Sequence, residues 1–228
     1  MAAEAPDGQV ILAGRQTAGR GRMGRSFVSP AGTGVYLSML LRPTCSPAQA
    51  STLTAWAAVA VRRAIAAVCG VEADIKWVND LQLNGKKICG ILTEAVLVGG
   101  RVEHLILGVG INGNTGPDEL PTPLRATAGS LLTETGRACD LAALTAALIQ
   151  ALDQLGGDFP SARDPYLAAY RAACITTGRS IRVLRQDGSG EDAYAEAVED
   201  DFSLRVRYAD GRRARVASGE VSVRYPEA

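Results

Sequence analysis

A stretch of alternating glycines and arginines, residues 16–25, constrains the fold more than any other part of the sequence. It reads Gln-Thr-Ala-Gly-Arg-Gly-Arg-Met-Gly-Arg. Glycine is unfavourable inside regular helices and strands, and it lets a ligand come close to the main chain. Arginine offers a permanently charged donor fork that suits carboxylate and phosphate oxygens. The stretch therefore predicts a cationic loop that receives an anion.

The regions flanking this loop are apolar or basic. The run 10–13 predicts a short buried strand before the loop, and residues 33–42 predict a core strand after it. Residues 8–71 contain no aspartate or glutamate, but they contain Arg15, Arg20, Arg22, Arg25, Arg42, Arg62 and Arg63. An uncompensated positive field over this length favours an anionic partner.

Composition limits the class of protein. The 228 residues suit one catalytic-size domain, or one domain with a small appendage, and the formal net charge of zero argues against a general nucleic-acid binder. The 5 cysteines are widely spaced without a Cys-x-x-Cys pair, which predicts free thiols in a reducing cytoplasmic compartment. The sequence has no metal-ligand cluster, no signal-peptide pattern and no apolar run near the ~20 residues of a membrane span.

Helix signals lie in the middle of the chain. Ser46, Pro47 and Gln49 match a capped helix start, apolar residues follow at helical spacing to 68, and Gly70 marks the end. Asp140 predicts the cap of a second long helix. That helix is expected to end near residue 156, a shorter helix is expected at 164–174, and a Gly- and Pro-rich loop at 112–125.

Strand signals occupy the rest. The runs 74–78, 88–98 and 102–111 predict strands, with hairpin turns at 83–86 and 99–101. The pattern changes near Gly178. After it, short alternating runs predict a small antiparallel barrel of about five strands, at 181–184, 194–198, 203–208, 213–217 and 221–225.

The lysines are the second functional signal. Only three of the 24 lysine and arginine residues are lysines, namely Lys76, Lys86 and Lys87. Since the compact ammonium of lysine is not interchangeable with a guanidinium, at least one of them is expected to be functional, held by Asp80 at a strand end. Strand alternation places Lys86 and Lys87 on opposite faces, with Lys87 on the face of Cys89 and Ile91, and pattern alone does not choose between them.

Other motif interpretations are weaker. Residues 19–24 and 108–113 both match G-x-G-x-x-G, but a dinucleotide fold needs a helix directly after the glycines. A strand follows the first match, and prolines follow the second. RNA-binding Arg-Gly segments are usually repeated and disordered, whereas this one is single. Asn112 closes a turn or contacts a nucleotide, and His104 is expected to be a structural strand residue.

Four segments in order resemble the biotin–protein ligase family. They are residues 16–25, Lys-Trp-Val-Asn-Asp at 76–80, Lys-Lys-Ile-Cys-Gly-Ile-Leu-Thr-Glu at 86–94, and Gly-Val-Gly-Ile-Asn at 108–112. The tail at 219–224 resembles the end of that family's small C-terminal domain. The resemblance implies an α+β fold, with a mixed β-sheet and packed helices of the class II synthetase-like type at 1–176. An SH3-like β-barrel is implied at 177–228.

The resemblance also implies an activity. Biotin attacks the α-phosphate of ATP, which carries Mg2+, to give biotinyl-5′-AMP, and a lysine of a biotin carboxyl carrier domain of a carboxylase then accepts the biotin. No DNA or membrane partner is expected, and a homodimer is allowed. Two alternatives stay open: a lipoate/octanoate–protein ligase-like transferase, and a catalytically weak protein that binds biotin or the carrier.

Site residues follow by resemblance. Lys87, Arg22 and Asp80 would be catalytic, and the choice of Lys87 over Lys86 rests on the resemblance alone. The implied biotin contacts are Gln16, Arg20, Gly21, Arg22 and Lys87. The implied ATP and adenylate contacts are Arg20, Arg22, Phe27, Asn79, Asp80, Lys87 and Asn112.

The sequence departs from the family pattern in three places. The family opens with a Ser-Thr-Asn segment and a helix, whereas this chain begins at Met1 apparently inside that helix, so an N-terminal truncation is expected. Val78 stands where the family usually has proline. The sequence contains no helix-turn-helix pattern, so a monofunctional form without a repressor role is expected.

Overall fold

A six-stranded sheet forms the framework of the larger unit. The protein is described by a computed structural model that covers residues 4–185, 187–217 and 221–224. The strands are β1 (Val10–Ala13), β2 (Gly34–Leu41), β3 (Asp74–Lys76), β4 (Asp80–Leu83), β5 (Lys86–Val98) and β6 (Arg101–Asn112), in the order β1-β2-β6-β5-β4-β3.

The pairing corrects the prediction of a mixed sheet. Every ladder that joins these strands is antiparallel. Among the described residues, parallel pairing is confined to two isolated bridges, Ile75–Cys174 and Lys87–Ala128. The reason is the connections, because the tight turns at 84–85 and 99–100 join antiparallel strands, whereas a parallel pair needs a crossover of a dozen or more residues.

Within the described ranges, five α-helices accompany the sheet. They are α1 (Pro47–Ala50), α2 (Leu53–Cys69), α3 (Leu131–Thr135), α4 (Leu141–Asp158) and α5 (Arg163–Ala173). The predicted capping box of Ser46 and Gln49 forms, and Gly70 ends α2 in the left-handed region at φ +66°. Asp140 accepts from the first free N–H groups of α4. The sequence analysis missed α3, because five residues are too short to show helical periodicity.

The core lies between the helices and one face of the sheet. The hydroxyls of Thr54 in α2 and Thr93 in β5 lie 2.9 Å apart, which fixes the face that α2 covers. By alternation the same face carries the buried side chains Val35, Leu37, Met39, Leu105, Leu107, Val109 and Ile111. The opposite face of the sheet is left for a site.

One segment has the length and apolar character of a membrane span. Within the described residues it covers 47–69, and 61% of its window is buried inside the protein. Leu53, Trp56 and Ile65 are at most 1% exposed, since α2 is packed between the sheet and α4. Its apolar character is thus accounted for by the core.

The C-terminal part forms a separate antiparallel sheet, as predicted for the SH3-like unit. Its strands are β7 (Ser180–Arg185), β8 (Gly190–Val198), β9 (Leu204–Tyr208), β10 (Arg213–Val216) and β11 (Val221–Arg224), in the order β10-β9-β8-β7-β11. In β9, buried Leu204, Val206 and Tyr208 alternate with exposed arginines. The domain boundary at 176/177 stays a prediction, and residues 1–3, 219–220 and 225, which carried parts of the predictions, lie outside the described residues.

Truncation of the α4 core face tests the packing. Leu148 is fully buried against α2 and the sheet, so Leu148→Ala is expected to lower the free energy of unfolding by about 2–5 kcal/mol. Leu124→Ala is the control, since Leu124 is 37% exposed and its truncation is expected to cost less than about 1 kcal/mol. Urea unfolding followed by circular dichroism measures both, and equal losses would contradict this packing.

Candidate active site

The uncovered face of the sheet is lined by glycines. Gly90 in β5 pairs with Gly110 in β6, and the same row continues to Asp80 on one side and Tyr36 on the other. Gly108 lies two residues along β6 on the same face. We call Gly90, Gly108 and Gly110 the glycine face. Without side chains these positions let another group lie directly on the backbone.

The glycine–arginine stretch folds as a compact loop beside this face. The Phe27 N–H donates to the Gly19 carbonyl at 2.8 Å, and the Gly21 N–H donates to the Arg25 carbonyl at 2.7 Å. Met23 at its tip has φ +55°, a left-handed conformation. The predicted loop is therefore held by its own backbone hydrogen bonds rather than extended.

Phe27 connects the loop to the glycine face. A Cβ at Gly110 would lie 2.5 Å from Phe27 Cε1, and one at Gly90 would lie 3.1 Å from Phe27 Cε2. The ring can take this position only because both residues lack a side chain. A Cβ at Gly108 would meet nothing nearer than the Leu92 carbonyl at 3.6 Å, so this part of the face lies outside the contact with the ring.

Two cations and one carboxylate meet at the edge of the glycine face. Lys87 Nζ lies 2.7 Å from Asp80 Oδ1, and both side chains are partly buried. The Arg22 guanidinium donates to Asn79 Oδ1 at 3.2 Å. Burial lowers the pKa of Arg22, while the charge of Asp80 raises it. This charge centre of Arg22, Asn79, Asp80 and Lys87 has an excess of positive charge, which suits an anion.

A β-bulge decides which lysine reaches the charge centre. Leu81 pairs with Cys89 but Gln82 pairs with Lys87, which leaves Ile88 as an extra residue in β5. The side chain of Lys87 consequently lies against Gly90, so its predicted place on the face of Cys89 and Ile91 is wrong. Lys86 is engaged elsewhere, since its ammonium donates to the carbonyls of residues 125 and 126 at 2.9 and 2.6 Å.

The other loop residues fall into two groups. Gln16 accepts from the Ser29 hydroxyl at 2.6 Å, and a Cβ at Gly19 would lie 2.9 Å from the same Gln16 oxygen. Gly21 lies within the compact loop. Arg20 lies apart from the charge centre, because its guanidinium points outward to Glu94 at 3.2 Å and its side chain is 74% exposed.

Sequence reasoning missed the residues that hold the far end of the loop. The Tyr36 hydroxyl, from the row of the glycine face, donates to the Pro30 carbonyl at 3.0 Å. Burial raises the pKa of Tyr36, which keeps this donor protonated. Ser29 is buried beside it. The alternation of β2 could have placed Tyr36 on this face, but no sequence pattern indicates its hydrogen-bond partner.

Asn112 lies at the end of β6 and is buried. Its amide donates to the Gly129 carbonyl at 2.9 Å, and the Gly129 N–H donates to the Lys87 carbonyl at 3.0 Å, so Asn112 and Lys87 brace the same segment. The Asn112 Oδ1 atom is buried without a hydrogen-bond partner in the described part of the chain. An amine or hydroxyl donor from a ligand would satisfy it.

No group of three or more metal-ligating side chains occurs in the ranges that the structure describes. His104, the single histidine, is buried in β6, as expected for a structural strand residue. Asp80 is the carboxylate of the charge centre. Because Mg2+ needs only one or two protein carboxylates when phosphates supply further oxygens, this donor set fits a magnesium ion that arrives with a nucleotide.

Comparisons with known proteins agree on one family. Residues 2–112 match the model of the biotin/lipoate A/B protein ligase family. The bifunctional ligase/repressor BirA of Bacillus spizizenii is 41% identical over 210 residues, which cover 91% of this chain and 64% of that protein. The biotin–[acetyl-CoA-carboxylase] ligase of Paracoccus denitrificans is 36% identical over 213 residues, which cover 89% of this chain and 85% of that protein.

A solved structure shows the same fold. It is the biotin protein ligase from Aquifex aeolicus in complex with biotin and ATP, with a TM-score of 0.82 and 24% identity, over 98% of this chain and 91% of that one. The α+β fold predicted from the sequence is confirmed. The chain spans 64% of the length of the Bacillus relative, so the activity of that whole protein is not transferred by the match.

Adding one methyl group to the glycine face tests the contact with Phe27. Gly110→Ala is expected to displace the ring and open the loop, so that trypsin cleaves after Arg20, Arg22 and Arg25 about tenfold faster. Gly108→Ala is the matched control on the same strand and face, and its cleavage rate is expected to stay within about twofold. Mass spectrometry of timed digests measures both, and equal rates in the two variants would contradict the proposed packing of the ring.

Proposed function

Because this chain belongs to the biotin/lipoate A/B protein ligase family, we propose that it is an ATP-dependent biotin–protein ligase. In the first step a biotin carboxylate oxygen attacks the α-phosphorus of ATP, and pyrophosphate leaves with the electron pair of the broken bond. In the second step a lysine amine of a biotin carboxyl carrier domain attacks the biotinyl carbonyl and AMP leaves. The observation that carries the proposal is the positive charge centre beside a glycine-lined face.

The charge centre suits the first step because both reactants are anions. Biotin and the α-phosphate must approach against their mutual repulsion. Lys87 is the group proposed to lie between them, where charge develops in the transition state. It would exchange its Asp80 partner for the two substrates, and each charge-assisted hydrogen bond contributes about 1.5–3 kcal/mol. Arg22 supplies the second positive charge.

The remaining proposed contacts divide between the two substrates. Gln16, Arg20, Gly21 and the open part of the glycine face at Gly108 would receive biotin. Phe27, Asn79 and Asn112 would receive the nucleotide, with the unpartnered Asn112 oxygen accepting from it. The loop would also limit access of water to the mixed anhydride, which water hydrolyses.

Magnesium is proposed to enter as Mg-ATP near Asp80, where it neutralises phosphate charge. The acceptor is proposed to be the carrier domain of a biotin-dependent carboxylase, which is supported by the name of the Paracoccus relative. Since all 5 cysteines are free, a reducing, cytoplasmic location is part of the proposal.

The two adjacent lysines give the decisive test. Lys87→Ala is expected to lower biotin-dependent ATP–pyrophosphate exchange at least about 100-fold, because the charge that offsets two anions is lost. Lys86→Ala is the matched control, expected within about threefold of wild type, since the Lys86 ammonium donates to backbone carbonyls of the 125–126 segment, away from Asp80. Near-normal exchange in Lys87→Ala would contradict the proposed role. Exchange with lipoate or octanoate in place of biotin would favour the lipoate ligase alternative.

Arg22 has a separate expected effect on the intermediate. Arg22→Ala is expected to loosen the link between the loop and Asn79, so that biotinyl-5′-AMP is released into solution at least about tenfold faster. Arg25→Ala, on the exposed side of the same loop, is expected to retain the intermediate like wild type. Rapid gel filtration followed by quantification of free adenylate measures retention, and unchanged retention in Arg22→Ala would count against an ordering loop.

A further inference from the structure

The segment that supplies Asn79 and Asp80 is held in place by buried contacts outside the charge centre. Residues 77–79 connect β3 to β4, and Asn79 is bonded to β5 through its backbone and its side chain, both to Ile91. Trp77 and Val78 precede Asn79 and are almost fully buried, at 3% and 2% exposure. The contacts of these two residues therefore decide where Asn79 and Asp80 lie.

The C-terminal sheet provides one of these contacts. The Trp77 indole N–H donates to the Phe202 carbonyl at 2.9 Å, in a fully buried hydrogen bond. Phe202 lies in the turn between β8 and β9 and has φ +60°, in the left-handed region. Its ring meets Tyr170 edge to face at 5.6 Å. The direction of this carbonyl is thus fixed by packing on the same side of the segment.

Two further bonds complete the anchor. The Trp77 backbone N–H donates to the Thr176 hydroxyl at 2.9 Å, and the Tyr170 hydroxyl donates to the Val78 carbonyl at 3.2 Å. Tyr170 is fully buried, and this burial raises the pKa of its phenol. Trp77 and Val78 are therefore tied to α5, to Thr176 in the segment that follows α5, and to the turn between β8 and β9 of the C-terminal sheet.

We propose that Trp77 is a positioning residue, through which the C-terminal sheet sets the place of Asn79 and Asp80 and hence their contacts with Arg22 and Lys87. The kinetic consequence rests on the function proposed above. Asn79 and Asp80 belong to the nucleotide and magnesium contacts proposed above, whereas the proposed biotin contacts Gln16, Gly21 and Gly108 come from other segments. Loss of the indole hydrogen bond is consequently expected to weaken the binding of MgATP and to leave the binding of biotin unchanged.

The second tryptophan is a matched control. The chain has only 2 tryptophans, Trp56 and Trp77. Trp56 is as deeply buried, at 1%, and also packs near Phe202, at 6.4 Å between ring centroids. Its indole N–H has no hydrogen-bond partner in the described part of the chain. Replacing either residue by phenylalanine removes similar volume, but only Trp77→Phe removes this link.

The experiment compares steady-state ATP–pyrophosphate exchange in the two variants. Trp77→Phe is expected to raise the KM for MgATP about tenfold while the KM for biotin stays within twofold, and Trp56→Phe is expected to leave both within twofold. Identical kinetics in the two variants would overturn the inference, and so would a rise in both KM values of Trp77→Phe.

A second variant covers the case in which Trp77→Phe does not fold. In the Trp56→Phe background, Trp77 is the sole tryptophan, so growth of an auxotrophic host on benzothienylalanine replaces it with a side chain of nearly the same shape that lacks the N–H. The same split between the two KM values is expected. Wild-type KM values for both MgATP and biotin in that protein would overturn the inference.

A spectroscopic arm separates this inference from the proposed function. In 1H–15N spectra, the Trp77 indole N–H is expected to exchange slowly with solvent, and the side-chain amide of Asn79 is expected to shift in Trp77→Phe but not in Trp56→Phe. The wild-type protein could show no ATP–pyrophosphate exchange while the indole N–H and the Asn79 amide give these expected signals. In that case the proposed function fails and the positioning role stands. Fast exchange of the indole, or an unmoved Asn79 amide, overturns the positioning role whatever the activity.

Discussion

The ion pair of Lys87 and Asp80 is the interaction on which the geometry of the site depends. The two residues come from neighbouring strands, and Asp80 faces Gly90 directly across the ladder. A regular β5 would turn Lys87 to the helix-covered face, where its ammonium would be buried in an apolar core at a high cost. The bulge at Ile88 avoids this outcome. One extra residue in one strand therefore determines whether the charge centre exists.

The loop and the sheet are complementary in shape at the glycine face, and the ion pair of Arg20 with Glu94 adds a contact between opposite charges. The Phe27 ring rests on two positions that lack side chains, and Tyr36 and Ser29 hold the other end of the loop. Fixing each loop residue costs about 1–2 kcal/mol of backbone entropy. The loop meets part of this cost with its own backbone hydrogen bonds and part by stacking on glycines. A loop balanced in this way can rearrange when an anion takes over the contacts of Arg22.

Local chemistry explains which features could be predicted from the sequence. Helix caps at Ser46, Gly70 and Asp140 and the Asn84–Gly85 hairpin are set by a few adjacent residues, and all of them form. The outward turn of Arg20 depends on Glu94, far along the chain, and the bulge at Ile88 depends on the register between β4 and β5. No local sequence pattern predicts either feature. That Asp80 holds a lysine was expected from the sequence pattern, whereas the choice of Lys87 and the roles of Arg22 and Asn79 were anticipated only through the family resemblance. Their roles stay predictions, although the structure brings the four side chains together.

The link between the two sheets is of the same non-local kind. The acceptor for the Trp77 indole is a backbone carbonyl, so the C-terminal sheet acts on the charge centre through the shape of the turn between β8 and β9 and not through the identity of a side chain. That shape depends on a left-handed residue packed on Tyr170, which in turn braces Val78. A small sheet that holds none of the proposed catalytic groups can in this way set the position of one of them, Asp80, and of the proposed nucleotide contact Asn79. A displacement of that turn would therefore act on Asn79 and Asp80, because both sheets contact the same buried segment.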